Sequence, residues 1–460
     1  MFISRNEEIN KIKNFLKDGN SLLLYGLRRI GKTTLIKEAL NKLNRNYIYF
    51  ECIKASEPVN VEAFKNLLKE IADYKDNGED TFLEIFKNLN KEKNSLVIVI
   101  DEYSYLKEYY FASKKMDSNL EAIRIDSEFQ VIIDQYLDRN KLILCGSSIS
   151  TMKDLLSYNS PLYGRFSTII NLKPFNYLDV KKMFPSLSNN QIIEIYSLFG
   201  GSPYVLSKIN PNKSLKENIC ELLLNEDGIL RTHIEMNVLG EMGKVPDLNL
   251  ILKVIKNGVK KYGDLEQKLS LQTSGLLDKK LKKLIDLDIV EKQYPIGFEN
   301  NKRKTHYVLK DNLLKFYYSY IYGNANLISL LGAERFFELK IVPSIEEFIS
   351  RRFECMVRDY FSFLSKTQND KTIVNIGSYF TNENEYDCVI KRDNNKYEVY
   401  EVKYTKKPID LSTMHKEIVQ IKQIPGLKIA KIGFVSASGF TQKIDEVEYI
   451  DLDKLFDINN

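Results

Sequence analysis

Near the N-terminus the chain reads Gly26-Leu27-Arg28-Arg29-Ile30-Gly31-Lys32-Thr33-Thr34, which satisfies the spacing G-x-x-x-x-G-K-[ST]. A short apolar run, SLLLY, stands immediately before it, and a helical run, TTLIKEALNKL, overlaps its end. This context narrows the possible folds sharply. A loop of this kind works only where strand, loop and helix are consecutive parts of an α/β layer. Its glycines let backbone N–H groups curl round a phosphate, and the helix that opens after it adds a partial positive charge. The backbone from Gly26 to Thr34 is therefore expected to bind a nucleotide. Lys32 is expected to reach the β and γ phosphates and the Thr33 hydroxyl to ligate magnesium. ATP and magnesium are the expected cofactors.

The text around the loop agrees with such a layer. Five short runs rich in Val, Ile and Leu read as strands: SLLLYG, NYIYFEC, SLVIVIDE, KLILCGS and STIINL. Runs this short and this apolar are buried on both faces, which predicts a parallel sheet flanked by helices. Asp101 ends the third run, at the carboxyl edge of the sheet where the phosphates lie. It is expected to hold magnesium, directly or through water. Glu102 is then placed to orient and deprotonate an attacking water.

A length of 460 residues fits about three domains. The predicted organisation is an ATPase core over 1–178, a helical lid over 179–243, a winged helix over 244–323 and a C-terminal domain over 324–460. Five scattered cysteines with no C-x-x-C pair argue against disulfides and a cysteine zinc site, and three separated histidines against a histidine one. Reduced thiols, a charged amphipathic N-terminus and no apolar run of about 18 residues lead to the expectation of a cytoplasmic protein without a membrane span.

Seven stretches together carry a family likeness: FISRNEEI, GLRRIGKTTL, IDEY, LILCGSS, PLYGR, FGGSPYVL and KDNLLKFYYSYI. Over essentially its whole length the chain resembles the archaeal-type ATPases of the AAA+/STAND group that carry a DUF234-like C-terminal region. The resemblance implies that Ser147 or Ser148 senses the γ-phosphate or the attacking water. It implies an arginine finger or trans-acting sensor at Arg165, which otherwise reads as a surface arginine in a turn. It also implies that Pro203 sits near the adenine, with the Phe2–Glu8 stretch framing the base; glycine and proline breaking a helix account equally for the GGSP text.

Helix, helix, helix and hairpin follow one another between Leu248 and Tyr322, the order of a winged helix-turn-helix. The third helix, about Ser274–Leu287, is expected to put Leu277, Leu281, Leu284 and Ile285 in the core and Lys279, Lys280, Lys282 and Lys283 largely on its other faces. With Lys302, Arg303 and Lys304 in the wing, this suits DNA phosphates. A solvated basic face that meets protein partners is the other reading.

In the C-terminal domain a long helix carries Glu354, one strand carries Asp387, and the strand KYEVYEVKY carries Glu401 and Lys403 on one face. This arrangement resembles the PD-(D/E)xK nuclease core, with Tyr386 in place of the proline. The resemblance implies that Asp387 and Glu401 hold one or two magnesium ions, with Glu354 assisting and Gln420 as an accessory ligand. Lys403 would then position hydroxide or stabilise the phosphorane. An amphipathic strand whose Glu and Lys pair or face water explains the same text.

The expected fold is thus α/β: a P-loop NTPase core with an AAA+-like parallel sheet, a helical lid, a winged helix-turn-helix and an α/β restriction-endonuclease-like domain. The expected function is ATP hydrolysis coupled to DNA binding and metal-dependent DNA cleavage, with self-association of the chain as a further partner. The alternative is a STAND-type regulatory switch whose C-terminal domain is a non-catalytic binding module.

Overall fold

The five apolar runs become the strands of one parallel sheet in the computed structural model, which describes residues 2–71, 74–90, 95–107, 118–238, 247–256, 261–269, 276–299, 301–380 and 385–457. In chain order the elements are α1 (Asn6–Asp18), β1 (Ser21–Tyr25), α2 (Lys32–Lys42), β2 (Tyr47–Glu51), α3 (Glu57–Ile71), α4 (Phe82–Leu89), β3 (Val97–Asp101), α5 (Ser118–Gln135), β4 (Lys141–Gly146), α6 (Ile149–Asp154) and β5 (Thr168–Asn171). The spatial order is β2-β3-β4-β1-β5, so β4 lies between the strand that feeds the glycine loop and the strand that ends in Asp101.

Side-chain alternation builds a core on each face. Leu23, Ile48, Ile98, Ile100, Leu142 and Leu144 pack with α3, α4 and α5. Leu22, Leu24, Val97, Val99, Ile143 and Cys145 pack with α1 and α2. Each such side chain, fully buried, contributes roughly 1.5–3 kcal/mol. The segment that follows Asp101 is tied to the second layer by a buried polar network: Asp126 accepts from the Tyr103 hydroxyl at 2.8 Å and from Lys107 Nζ at 2.6 Å.

By its contacts the chain divides into two units, Met1–Pro174 and Phe175–Asn460. The second begins with α7 (Tyr177–Met183) and α8 (Asn189–Phe199), each started by a capping box, from Asn176 with Asp179 and from Ser188 with Gln191. Gly200, at φ 70°, ends α8, and a Cβ on Gly201 would lie 1.8 Å from the Phe175 carbonyl oxygen. Only glycine fits there. Pro203 opens the short helix α9 (Pro203–Leu206).

After helical segments that begin at Leu215 and Ile229 come α10 (Leu248–Lys256), α11 (Tyr262–Lys268), α12 (Leu276–Asp286) and the antiparallel pair β6 (Val290–Gln293) and β7 (His306–Leu309). The start expected for the third helix, Ser274, lies outside the described residues. One placement needs correcting. Lys280 is buried, and its ammonium meets Asp247 at 2.5 Å. It stands three residues after Leu277 and four before Leu284, on the apolar stripe itself, so helical geometry turns it inward. Lys304 lies over the Phe298 ring, 3.2 Å from its centroid.

The remainder starts with α13 (Asn312–Phe316), which runs into a wider turn over Tyr317–Ile321; short helices at Ala325–Leu331 and Ala333–Phe336 then lead to α14 (Val342–Thr367). After it come β8 (Ile373–Phe380), β9 (Glu385–Arg392), β10 (Lys396–Lys403), α15 (Leu411–Lys422), β11 (Lys428–Ser436) and β12 (Val447–Ile450). These strands form a mixed sheet of order β12-β11-β10-β9-β8, antiparallel from β8 to β10 and parallel from β10 to β12. Among the described residues no helix is long and apolar enough to cross a membrane.

Candidate functional site

Alternation along β3 decides where its last carboxylate points. Val97 and Val99 face α1 and α2, so a period of two turns Asp101 toward that same side, over the start of α2. There the Thr33 hydroxyl donates to Asp101 Oδ2 at 3.1 Å. Tyr49, from the neighbouring strand β2, donates its hydroxyl to the same oxygen. The other oxygen, Oδ1, accepts the backbone N–H of Glu102 at 2.8 Å. Burial, and then the charge of Asp101, raise the pKa of Tyr49 and keep its phenol protonated as a donor.

The glycine loop wraps the other side of this cluster. Arg29 at φ 63° and Gly31 at φ 95° both take the left-handed backbone conformation, which turns successive N–H groups inward. Lys32 is buried, and its ammonium bonds the carbonyls of Gly26 and Leu27, each at 3.1 Å. Ile30 buries its side chain in the α1/α2 core and Leu27 packs against both cores, so these two can offer a ligand only backbone. Arg28, Arg29, Thr33 and Thr34 are exposed.

Glu102 also has a left-handed backbone, at φ 50°, a conformation that costs a non-glycine residue on the order of 1–3 kcal/mol. That turn carries its carboxylate sideways to the end of β4. Oε2 there accepts from the Ser147 backbone N–H at 3.1 Å and from the Ser147 hydroxyl at 2.8 Å. Burial raises the pKa of Glu102, and the bonds from Ser147 oppose that rise. Ser148 instead shares a 2.8 Å hydrogen bond with Thr151, so of the two serines it is Ser147 that joins the cluster. Arg165 is engaged within its own unit: its Nε meets Asp134 at 3.0 Å and its Nη1 the carbonyl of Tyr163 at 3.3 Å.

A second cluster lies in the C-terminal sheet. Asp387 on β9 accepts the backbone N–H of Val402 on β10 through Oδ2, at 3.1 Å. Lys403 Nζ lies 2.5 Å from Glu401 and 3.4 Å from Glu417, which comes from α15. Arg358 on α14 donates to the carbonyl of Asp387. Asp387 and Glu401 are both pushed up to about 7, by burial first and then by neighbouring carboxylates, Glu354 acting on Asp387 and Asp387 on Glu401. The group therefore forms a charge-paired knot. The expected convergence of Glu354, Asp387 and Glu401 on a metal is not seen: among the described residues no three His, Cys, Asp or Glu side chains are arranged to hold a metal ion. In this arrangement Lys403 pairs with Glu401, and one oxygen of Asp387 accepts the Val402 amide.

Comparison with known proteins gives this geometry its family. Residues 2–209 match the family described as an ATPase domain predominantly from Archaea. This region is an archaeal-type ATPase domain. Residues 317–419 match a family of archaeal and bacterial proteins of unknown function. The whole chain is similar to an uncharacterized protein of Methanocaldococcus jannaschii, 28% identical over 436 residues that make up 93% of each chain. Among solved structures it is similar to the Walker-type ATPase of Pyrococcus abyssi, at 19% identity and a TM-score of 0.53, over 69% of this chain and 96% of that one. A looser likeness, at 16% identity and a TM-score of 0.44 over 68% and 91% of the two chains, is to the ORC2 protein of Aeropyrum pernix in its ADPNP–ADP complexes.

The ATPase domain offers donors that suit magnesium: a hydroxyl on Thr33 and a carboxylate on Asp101, hard oxygens already within 3.1 Å of each other. Two residues near the clusters escaped the sequence reading. Tyr49 was detectable as a tyrosine of β2 that shares a sheet face with Asp101. Glu417 lies one helical turn before Gln420 on α15, and it is Glu417 that meets Lys403.

Proposed function

We propose that the ATPase domain binds and hydrolyses magnesium-bound ATP. The contact between Thr33 and Asp101, 3.1 Å apart below the glycine loop, carries this reading. Magnesium held by these two residues would neutralise phosphate charge when bound. The loop amides from Gly26 to Thr34 cradle the phosphates, and Lys32 leaves its carbonyl partners for them. Glu102 takes the proton of the attacking water once it swings away from Ser147, and Ser147 then remains to bond the γ-phosphate. Nucleotide titration with phosphate release tests these roles. Lys32→Ala should lose most binding, and Glu102→Gln should keep binding while stalling hydrolysis; equal loss of affinity in both would reject the division.

Within the second unit, the reading is a helical lid over 179–243 that contains Pro203, a winged helix over 244–323 that touches DNA, and a nuclease-like domain over 324–460. The order α10, α11, α12, β6, β7 supports the winged helix. If the wing grips DNA, replacing Lys302, Arg303 and Lys304 with alanine should reduce the salt slope of binding by roughly 0.9 per lost phosphate contact. For the C-terminal domain the finer reading is metal-dependent DNA cleavage at Asp387, Glu401 and Lys403. A second reading, a non-catalytic binding module driven by a nucleotide switch, is favoured by the pairing of Lys403 with Glu401 and Glu417. Calorimetric titration with magnesium and manganese separates them.

A further inference from the structure

The region where α10, α13 and α14 pack holds more positive charge than it neutralises. Three cations gather there round a set of buried rings. The Arg352 guanidinium lies 4.2 Å from the centroid of Phe348, and Phe348 packs on Tyr320 with centroids 5.8 Å apart. Lys256 Nζ stands 5.8 Å from the centroid of Tyr320. Lys315 belongs to the helix that carries Tyr320, one turn earlier, and the hydroxyl of Ser319 bonds its carbonyl. All three cations are partly buried.

Among the described residues, every hydrogen bond these cations make goes to a neutral oxygen. Lys256 reaches the Ser319 carbonyl at 3.4 Å, Lys315 the Asn312 side-chain oxygen at 3.3 Å, and Arg352 the Phe348 carbonyl at 2.8 Å. Arg352 Nε is buried with no partner at all. Among the described residues none of the three has a carboxylate within 4.0 Å. The nearby acids are occupied or distant. Glu347 pairs with Arg351 at 2.6 Å, and Asp311 caps α13 by accepting the Leu314 N–H at 2.8 Å. Glu291 and Glu354 act on Lys315 and Arg352 only from beyond ion-pair range.

Removing a cation from water without a counter-charge costs several kcal/mol per ion. Burial, followed by the charge of Arg352, pushes Lys315 down to about 8, and burial with the two arginines lowers Lys256 as well. A cluster that depresses its own protonation is stabilised by an anion that bonds several of its members at once. The rings of Phe316, Tyr320 and Phe348 are buried, so they present no stacking face to a base. What the cluster presents is charge and N–H donors alone.

We propose that Lys256, Lys315 and Arg352 form an oxyanion site for a phosphate group, separate from the glycine loop of the ATPase domain. The phosphate is either free or carried by a nucleic-acid strand, and both sources supply the same tetrahedral oxyanion. The site does not depend on the reading of Lys32 or Glu102.

Calorimetric titration with inorganic phosphate tests it, on full-length protein saturated with ADP so that the glycine loop is filled. Wild type should bind one further phosphate and gain thermal stability. Arg352→Met and Lys315→Met should each weaken that binding at least roughly tenfold, the loss of one charge-assisted bond. In phosphate-free buffer both variants should melt no lower than wild type, because the repulsion is gone. Lys256→Met, at the rim of the cluster, serves where a deeper variant folds poorly. Competition by a 5′-phosphorylated oligonucleotide but not by its unphosphorylated twin supports a terminal phosphate; equal competition by both supports a backbone phosphate. The proposal is overturned if ADP-saturated wild type binds no phosphate, or if the three methionine variants bind it as well as wild type.

Discussion

Ser147 donates twice to a single oxygen of Glu102, from its backbone N–H at 3.1 Å and from its hydroxyl at 2.8 Å. Ser147 follows directly on β4, which lies between the glycine-loop strand and the strand of Asp101, so this pair links the two halves of the nucleotide site. In this arrangement the carboxylate points to the end of β4 and its pKa is a balance. Burial raises it, and the Ser147 bonds together with the charge of Lys32 lower it.

Ser147→Ala removes the hydroxyl bond, the largest of the lowering effects, and leaves the burial, the backbone N–H bond and the charge of Lys32. The pKa of Glu102 should therefore rise further, and a base active only when ionised should lose activity at a higher pH than in wild type. The acid limb of the kcat profile should move to more alkaline pH, with nucleotide affinity within a few-fold of wild type. Glu102→Gln should lower kcat by roughly 10²–10⁴-fold and abolish that limb. An acid limb unmoved by Ser147→Ala would mean that another group sets it.

Asp126 is the only carboxylate bonded to Lys107 among the described residues, and both are buried. Asp126→Asn keeps the shape and an acceptor for Tyr103, yet leaves the ammonium of Lys107 without a counter-charge. Breaking a buried pair from one side costs about 3–5 kcal/mol. Urea unfolding should show that loss, and Lys107→Met combined with Asp126→Asn should recover part of it. A loss below about 1 kcal/mol for the single variant would mean that water reaches the pair.

The core of the ATPase domain was readable because its three central strands, β1, β3 and β4, are buried on both faces, which leaves a nearly unbroken apolar signature in their runs. The alternation of Val97, Val99 and Asp101 even gives the direction of the carboxylate. What a sequence pattern cannot supply is the partner that a neighbouring element presents. Tyr49 meets Asp101 only because β2 pairs with β3 in parallel register. Glu417 meets Lys403 because α15, one turn before the residue read as an accessory ligand, Gln420, brings a carboxylate to it. Lys280 was misassigned for a different reason: charge suggested an outward face where helical spacing places it inward, and Asp247 offsets its burial. The same limit explains the C-terminal carboxylates. Their faces were legible, but not the pairing of Lys403 with Glu401 or the bond from the Val402 amide to Asp387.

Arg165 is held by Asp134 at 3.0 Å, on the exposed end of α5. If it acts on a nucleotide bound by a second copy of the chain, this pair must open. Hydrolysis per chain should then rise with protein concentration, and Asp134→Ala should shift that rise to lower concentration. Arg165→Ala should abolish it. A rate per chain that does not change over a hundredfold range of wild-type concentration would exclude a trans role.

The last prediction concerns the stability of the second unit, through Asp387 and Glu401. Both are pushed up to about 7 in the folded chain, whereas an unfolded carboxylate titrates near 4. Between those values the folded state binds more protons than the unfolded one. Stability from this source is therefore full below about pH 4 and declines as pH rises through about 7. Asp387→Asn imitates the protonated side chain and still accepts the N–H of Val402, so it should remove part of the decline. At pH 8 the variant should exceed metal-free wild type by at least about 1.4 kcal/mol, a tenfold change in the folding constant. At pH 4.5 the two should be nearly equal. Urea unfolding at both pH values, in chelator, reads the difference. Magnesium or manganese then separates the two readings of the domain. Should the cluster open to take a divalent cation, the metal would stabilise wild type at pH 8 and leave Asp387→Asn nearly unchanged. If neither metal alters wild type, the lysine-neutralised cluster is a structural knot and the domain acts by binding alone.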